Sequence, residues 1–172
     1  IWITDSNSGG QLMQGYIDTV DRDGFGDQVS ELYNQQRVNY SIELAEVIGT
    51  YEKLKGCDVG IDFWESPRFR KMFYSTFNMT MAGNYTLQLG DQYSTASTKN
   101  TTRELNLLYG MEEFGDMTFA QQYYAVRNGD VANAYINIFK KNAGELGKKI
   151  EDYVREHGEI KLGSQNLAGY GL

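Results

Sequence analysis

The sequence predicts an all-α chain, and three observations lead to that class. Its 172 residues include nineteen glycines and a single proline, a balance that favours helices ended by glycine over a β-sandwich with proline-rich turns. Hydrophobic residues make up 41% of the chain and aromatic residues 13%, enough to bury a core. The longest periodic stretch, up to residue 55, repeats apolar side chains at alternating spacings of four and three, as a helix requires.

Composition also excludes several classes of protein. A single cysteine, Cys57, rules out an internal disulfide framework and a cysteine zinc site. The net charge of -7 and the pI of about 4.7 argue against generic nucleic-acid binding. Residues 1–31 hold six acidic side chains and one basic side chain, so most of the net charge belongs to this stretch. No run reaches the roughly twenty apolar residues that span a bilayer.

The first elements are predicted from their boundary residues. A helix is expected from Gln11 to about Val20, followed by a turn-rich loop over 21–27, where glycines permit positive φ and aspartates favour turns. The long helix is expected to start near residue 28 or 30, with Ser30 as its N-cap. It should end at Lys55, with Gly56 as the stop.

Two apolar lines follow this long helix, so both of its faces are predicted to be buried, as in a layered helical array. The first line comprises Tyr33, Arg37, Tyr40, Leu44, Val47, Tyr51 and Leu54, and the second comprises Val38, Ile42, Ala45 and Ile48.

The rest of the chain is predicted to be helical hairpins followed by a strand-like tail. Pro67 should open a helix that runs to about Met81, because its missing N–H costs nothing at a helix start. Residues 82–100 are polar and lack a helical period, which predicts a long loop. Further helices are expected near 101–114, 116–127 and 131–156, the last with a break at 142–144, and Ile160 and Leu162 alternate within the tail 159–172.

Tyr33 is the candidate for proton transfer. It lies in the first turn of a helix that follows a glycine-rich loop, and Arg37 follows one turn later on the same face. A free tyrosine has a pKa near 10, and a nearby guanidinium favours the phenolate. The alternative is that the ring only packs, with Arg37 stacked on it. His157 is the single histidine, so the chain alone contains no histidine dyad.

Three segments give the chain a family resemblance. They are Asp23-Gly24-Phe25-Gly26-Asp27 leading to Ser30 and Tyr33-Asn34, then Leu89-Gly90-Asp91, then Ser164-Gln165-Asn166-Leu167-Ala168-Gly169-Tyr170-Gly171. In this order they resemble motifs of the heparinase II/III-like polysaccharide lyases. The resemblance implies the last part of an incomplete (α/α) toroid over 1–158 and the start of a β-sandwich over 159–172. The chain is therefore expected to be a fragment that packs on earlier toroid helices and on a β-sandwich outside it.

The resemblance also implies an activity. It is β-elimination on an acidic polysaccharide that contains uronic acid, in a periplasmic or secreted enzyme, with Tyr33 as catalytic acid or acid and base. Asn34, Arg37 and Asp91 would bind substrate, and no metal or cofactor is expected in this fragment. Gln28 departs from the family pattern, and the acidic first third suits a polyanion poorly. The alternative is a non-catalytic helical module that binds carbohydrate through some of its thirteen tyrosines.

Overall fold

The computed structural model describes residues 17, 19–20, 23–25, 31–81, 85–86, 104–137 and 143–164. Within these ranges the fold is helical, which confirms the predicted class. No helix there is long and apolar enough to cross a membrane. The elements are α1 (Glu31–Lys55), α2 (Pro67–Met79), β1 (Thr80–Met81), β2 (Tyr85–Thr86), α3 (Glu104–Phe114), α4 (Thr118–Val126) and α5 (Ala143–His157).

The C-terminal end of α1 and the start of α2 have the predicted Gly56 and Pro67, whereas the predicted N-cap of α1, Ser30, lies outside the described residues. Gly56 adopts a left-handed φ of 62° and donates its N–H to the carbonyl of Glu52 at 2.8 Å, which closes α1. Ser66 caps α2, because its side-chain oxygen accepts the N–H of Phe69 at 3.3 Å, and Pro67 occupies the first turn.

The helix predicted from residue 131 was wrong in its first part. Residues 131–137 are turn and irregular backbone, residues 138–142 lie outside the described ranges, and α5 starts at Ala143, within the predicted break at 142–144. Residues near 131 pack closely against α5 instead of continuing a helix. A Cβ atom placed on Gly147 would lie 2.3 Å from the carbonyl oxygen of Val131. The segment after α4 therefore folds back against α5, which no helical period in the sequence could reveal.

Two further predictions concern strands. The loop predicted over 82–100 contributes Tyr85 and Thr86 to β2, which pairs antiparallel with β1, and its other residues lie outside the described ranges. The predicted strand-like tail is not a strand over 159–164, where Ile160 and Leu162 instead pack half-buried against the core. Residues 165–172 lie outside the described ranges, as does nearly all of the helix predicted over 11–20.

The core is built around aromatic rings. Phe69, Phe73 and Phe119 are at most 2% exposed, and the Trp64 ring stacks on Tyr109 with a centroid distance of 5.9 Å and an interplanar angle of 13°. The edge-to-face contacts among these rings join α2 to α3 and α4. The described helices therefore share one contiguous core.

Only one of the two apolar lines on α1 is buried in the part of the chain that the structure describes. Every member of the second line is at most 6% exposed. The prediction for the first line was wrong, because the described helices leave its outer members open to solvent. Tyr40, Val47, Tyr51 and Leu54 are each at least 50% exposed.

Candidate functional site

The turn at residues 23–25 is pressed against α2. Gly24 adopts a φ of +91°, and a Cβ atom there would lie 2.2 Å from the carbonyl oxygen of Lys71. Phe25 is 1% exposed, and Asn78 donates its side-chain amide to the carbonyl of Asp23 at 3.1 Å. The glycine-rich turn is therefore packed tightly against α2, and only glycine fits at position 24.

Asn34 joins this turn to two helices. Its side chain is 1% exposed, and its Nδ2 donates to Ser75 Oγ at 2.7 Å and, more weakly, to the carbonyl of Gly24 at 3.5 Å. Ser75 in turn donates to the carbonyl of Met72 at 2.6 Å. The amide of Asn34 thus contacts the turn and α2 from the first turns of α1, directly beside Tyr33.

The other predicted site residues are placed separately. Tyr33 is half-buried in the first turn of α1. Arg37 is also half-buried, and its Nη2 donates to Thr19 Oγ1 at 2.9 Å. Asp91 and Gln28 lie outside the described residues, as do most of the second and third sequence segments. The structure therefore joins Asn34 to the glycine turn and Arg37 to Thr19.

A second polar cluster, which sequence reasoning missed, links α2 to the start of α4. Asp116 accepts the backbone N–H of Thr118 at 2.9 Å and also the hydroxyl of Tyr74. Arg70 lies 3.4 Å from the Tyr74 oxygen, and its guanidinium carbon lies 5.2 Å from the centroid of the Phe114 ring. The Asp-Met-Thr pattern before α4 was the available signal, because aspartate accepts hydrogen bonds from the first turn of a helix.

The protonation of this cluster follows from its contacts. Burial and the hydrogen bond to Asp116 raise the pKa of Tyr74, so its phenol stays protonated and donates. Burial opposes the ionisation of Asp116, but hydrogen bonds from Thr118 and Tyr74 outweigh it and lower the pKa of that carboxyl. In this cluster the protonated phenol of Tyr74 therefore donates a hydrogen bond to the ionised carboxylate of Asp116, which links α2 to the start of α4.

A third feature is an open groove of about 1100 Å³ between α1, α3 and the segment 131–137. Its walls carry apolar side chains, among them Val47 and Leu54 of α1 and Leu105 of α3. Carboxylates of α1 and α3 line the same groove.

The described part of the chain was also searched for side chains that could together bind a metal ion. Among the described residues, no group of three or more histidine, cysteine, aspartate or glutamate side chains is placed to hold a metal ion. His157 stacks on Tyr153 at the end of α5, with ring centroids 4.2 Å apart. Cys57 is exposed just after α1.

Comparison with known proteins identified no relative of this chain. No model of a protein family matches the chain, and neither a curated protein nor a solved structure matches it. The function proposed below therefore rests on the residues themselves and on the three sequence segments.

Proposed function

We propose that the chain is part of a heparinase II/III-like lyase that cleaves uronic-acid-containing polysaccharides, and that its helices belong to an incomplete (α/α) toroid. The order of the three sequence segments and the helical class support this proposal. The observation that carries it is the hydrogen bonding of Asn34 to Ser75 and Gly24. This arrangement fixes the glycine turn beside Tyr33, as a proton-transfer residue needs a defined position.

The proposed reaction is a β-elimination. A base removes the proton at C5 of the uronate, the bond between C4 and the glycosidic oxygen breaks, and the departing oxygen takes a proton. The products are a new reducing end and a sugar with a C4–C5 double bond. Neutralising the uronate carboxylate makes the C5 proton removable, because negative charge develops on that group in the transition state.

Four residues of the chain have roles in this proposal. Tyr33 donates the proton to the departing oxygen. Arg37 favours the charged form of that phenol after transfer and attracts the anionic substrate, and Asp91 contacts the sugar. Asn34 is too buried to meet a substrate and holds the turn in place. The separate base and the carboxylate neutraliser come from other segments, and we place the enzyme in the periplasm or outside the cell.

The test is Tyr33→Phe in the polypeptide that contains this chain. We expect turnover, followed by the ultraviolet absorbance of the unsaturated uronate, to fall by about 10²- to 10⁴-fold, the usual contribution of a proton-transfer residue. Binding of a uronate oligosaccharide should remain. The matched control is Tyr40→Phe on the same helix, which is 58% exposed and should leave turnover unchanged. Equal turnover of the Tyr33→Phe variant and the wild type would exclude Tyr33.

The proposal also divides the site between this chain and other segments. The isolated 172-residue chain should therefore form no unsaturated product, because the base and neutraliser are supplied elsewhere. Product from this chain alone would contradict that division.

A non-catalytic carbohydrate-binding module is the second candidate, because Tyr40 and Tyr51 expose 58% and 50% of their surface on α1. Aromatic faces of this kind suit sugar rings. An oligosaccharide that binds without turnover, and that Tyr51→Ala releases, would favour this candidate over the lyase.

A further inference from the structure

One face of α2 contacts both the glycine turn and the residue that holds it. Lys71, Ser75 and Asn78 recur at spacings of four and three, which places them on the same side of the helix. The carbonyl of Lys71 lies too close to Gly24 for a Cβ atom to fit, and Ser75 accepts a hydrogen bond from Asn34. The third position of this face, Asn78, has no role in the function proposed above.

Asn78 holds the start of the turn. Its Nδ2 donates to the carbonyl of Asp23 at 3.1 Å, across 55 positions of the sequence. That carbonyl belongs to the peptide group that joins Asp23 to Gly24, where the backbone enters its left-handed φ of 91°. The hydrogen bond therefore fixes the orientation of the turn at the point where the chain changes direction.

The next carbonyl of the turn leads to the candidate proton-transfer residue. It is the carbonyl of Gly24, and it accepts a hydrogen bond from Asn34 of α1 at 3.5 Å. Two consecutive carbonyls are thus bound by asparagine side chains, one from α2 and one from α1. Because Asn34 directly follows Tyr33, a change in the turn is transmitted to the first turn of α1, which contains the phenol.

We propose that Asn78 is a positioning residue for Tyr33 and acts through the turn and Asn34. This inference rests on the proposed function, because it requires Tyr33 to transfer a proton. A proton-transfer group must lie within hydrogen-bond reach of the departing oxygen, and a misplacement of about 1 Å can lower a rate by about 10²-fold. Asn78 contacts the turn, so its loss should lower turnover and leave substrate binding unchanged.

The first test is Asn78→Asp in the polypeptide that contains this chain. An ionised carboxylate has nearly the shape of the carboxamide but cannot donate a hydrogen bond. We expect kcat to fall by about 10- to 100-fold, with KM within about twofold of the wild type and an unchanged circular dichroism spectrum. Asn78→Ala removes the donor without adding a charge and should show the same loss.

Gln121→Glu is the matched control. Gln121 also donates its side-chain amide to a backbone carbonyl, that of Gly158 at 2.7 Å, and this bond links α4 to the end of α5. The variant loses the same kind of hydrogen bond and gains the same charge at a place with no contact to the turn. It should keep the kcat of the wild type.

A double-mutant cycle separates positioning from a purely structural role. In the Tyr33→Phe background, Asn78→Asp should change kcat by less than about twofold, because the group that it positions is gone. A structural role would lower kcat by the same factor in both backgrounds. Equal factors would overturn the proposal, and so would an equal rise in KM, which would indicate direct contact with the substrate.

The same measurements distinguish a failure of this inference from a failure of the proposed function. If Tyr33→Phe leaves turnover unchanged, or if the wild type has none, the assignment to Tyr33 fails and the role of Asn78 fails with it. If Tyr33→Phe lowers turnover while Asn78→Asp behaves like Gln121→Glu, the lyase proposal stands and the positioning role alone is wrong.

Discussion

At the scale of single residues, Gly24 and Asn34 have the most specific contacts in the candidate site. The glycine combines a left-handed backbone with a close approach to the carbonyl of Lys71. The asparagine is buried but polar, and it is held because its amide has partners on the turn and on α2. Sequence reasoning found both through the Asp-Gly-Phe-Gly turn, yet it assigned Asn34 to substrate contact. Burial and the partner on α2 depend on a residue 41 positions away, which no local pattern reveals.

Replacement of Gly24 by alanine tests the close packing of the turn against α2. Gly60 is a matched control, because it also has a left-handed φ, of 74°, but nothing lies within 4 Å of an added Cβ. We expect Gly60→Ala to cost about 1–2 kcal/mol for the backbone alone. Gly24→Ala should cost at least about 1 kcal/mol more, since the clash is with backbone and cannot rotate away. Urea unfolding measures both, and equal losses would show that the turn does not press on α2.

At the scale of elements, the sequence predicts well where a boundary depends on local chemistry. The C-terminal end of α1 and the start of α2 were found because Gly56 and Pro67 act within a single turn. The non-helical backbone at 131–137 was missed because it depends on packing against Gly147. The exposed line on α1 was taken as buried, because periodicity identifies an apolar face but not whether another element covers it.

Gly147→Ala tests that contact, and Gly144→Ala in the same helix is its control. Alanine is the better helix former by about 1 kcal/mol, so propensity alone favours both changes. Gly144 has nothing within 4 Å of an added Cβ, and its replacement should leave stability equal or slightly raised. Gly147→Ala should instead lower the free energy of unfolding by about 1–3 kcal/mol, because the carbonyl of Val131 lies 2.3 Å from the new atom. A stabilised Gly147→Ala variant in thermal unfolding would contradict the close approach.

The hydrogen bond between Tyr74 and Asp116, which links α2 to the start of α4, should make the free energy of unfolding depend on pH. The pKa of Asp116 is lowered from its ordinary 3.8, so its ionised form stabilises the fold at neutral pH. That contribution is complete above the unfolded pKa and is lost as the pH falls through the lower, folded pKa. Asp116→Asn should therefore flatten the acid side of a plot of unfolding free energy against pH, measured from about pH 6 to pH 2. Asp152→Asn on α5 controls for the loss of one negative charge, and identical acid limbs for Asp116→Asn and the wild type would remove Asp116 from this role.

At the scale of the whole molecule, the aromatic core determines how the described helices lose structure. Trp64 contacts Phe69 of α2 and Tyr109 and Phe114 of α3, so its surroundings report on the packing of two helices. Leu146 and Ile150 extend the same core to α5. With one contiguous core, these helices should unfold together.

Trp2→Phe leaves Trp64 as the remaining tryptophan and so isolates this signal. We expect tryptophan fluorescence and far-ultraviolet circular dichroism to give one coincident unfolding transition in urea. Separate midpoints would show that the Trp64 cluster and the helices form independent units.

The exposed Cys57 has a practical consequence for such experiments. It is the chain's single cysteine and lies three positions after Leu54, which lines the groove. A maleimide reagent should therefore attach one fluorescent dye per molecule at Cys57, with no engineered thiol. A dye on Cys57 would be attached three residues along the chain from the groove lining, so a change in its emission would report a change in structure at this end of α1.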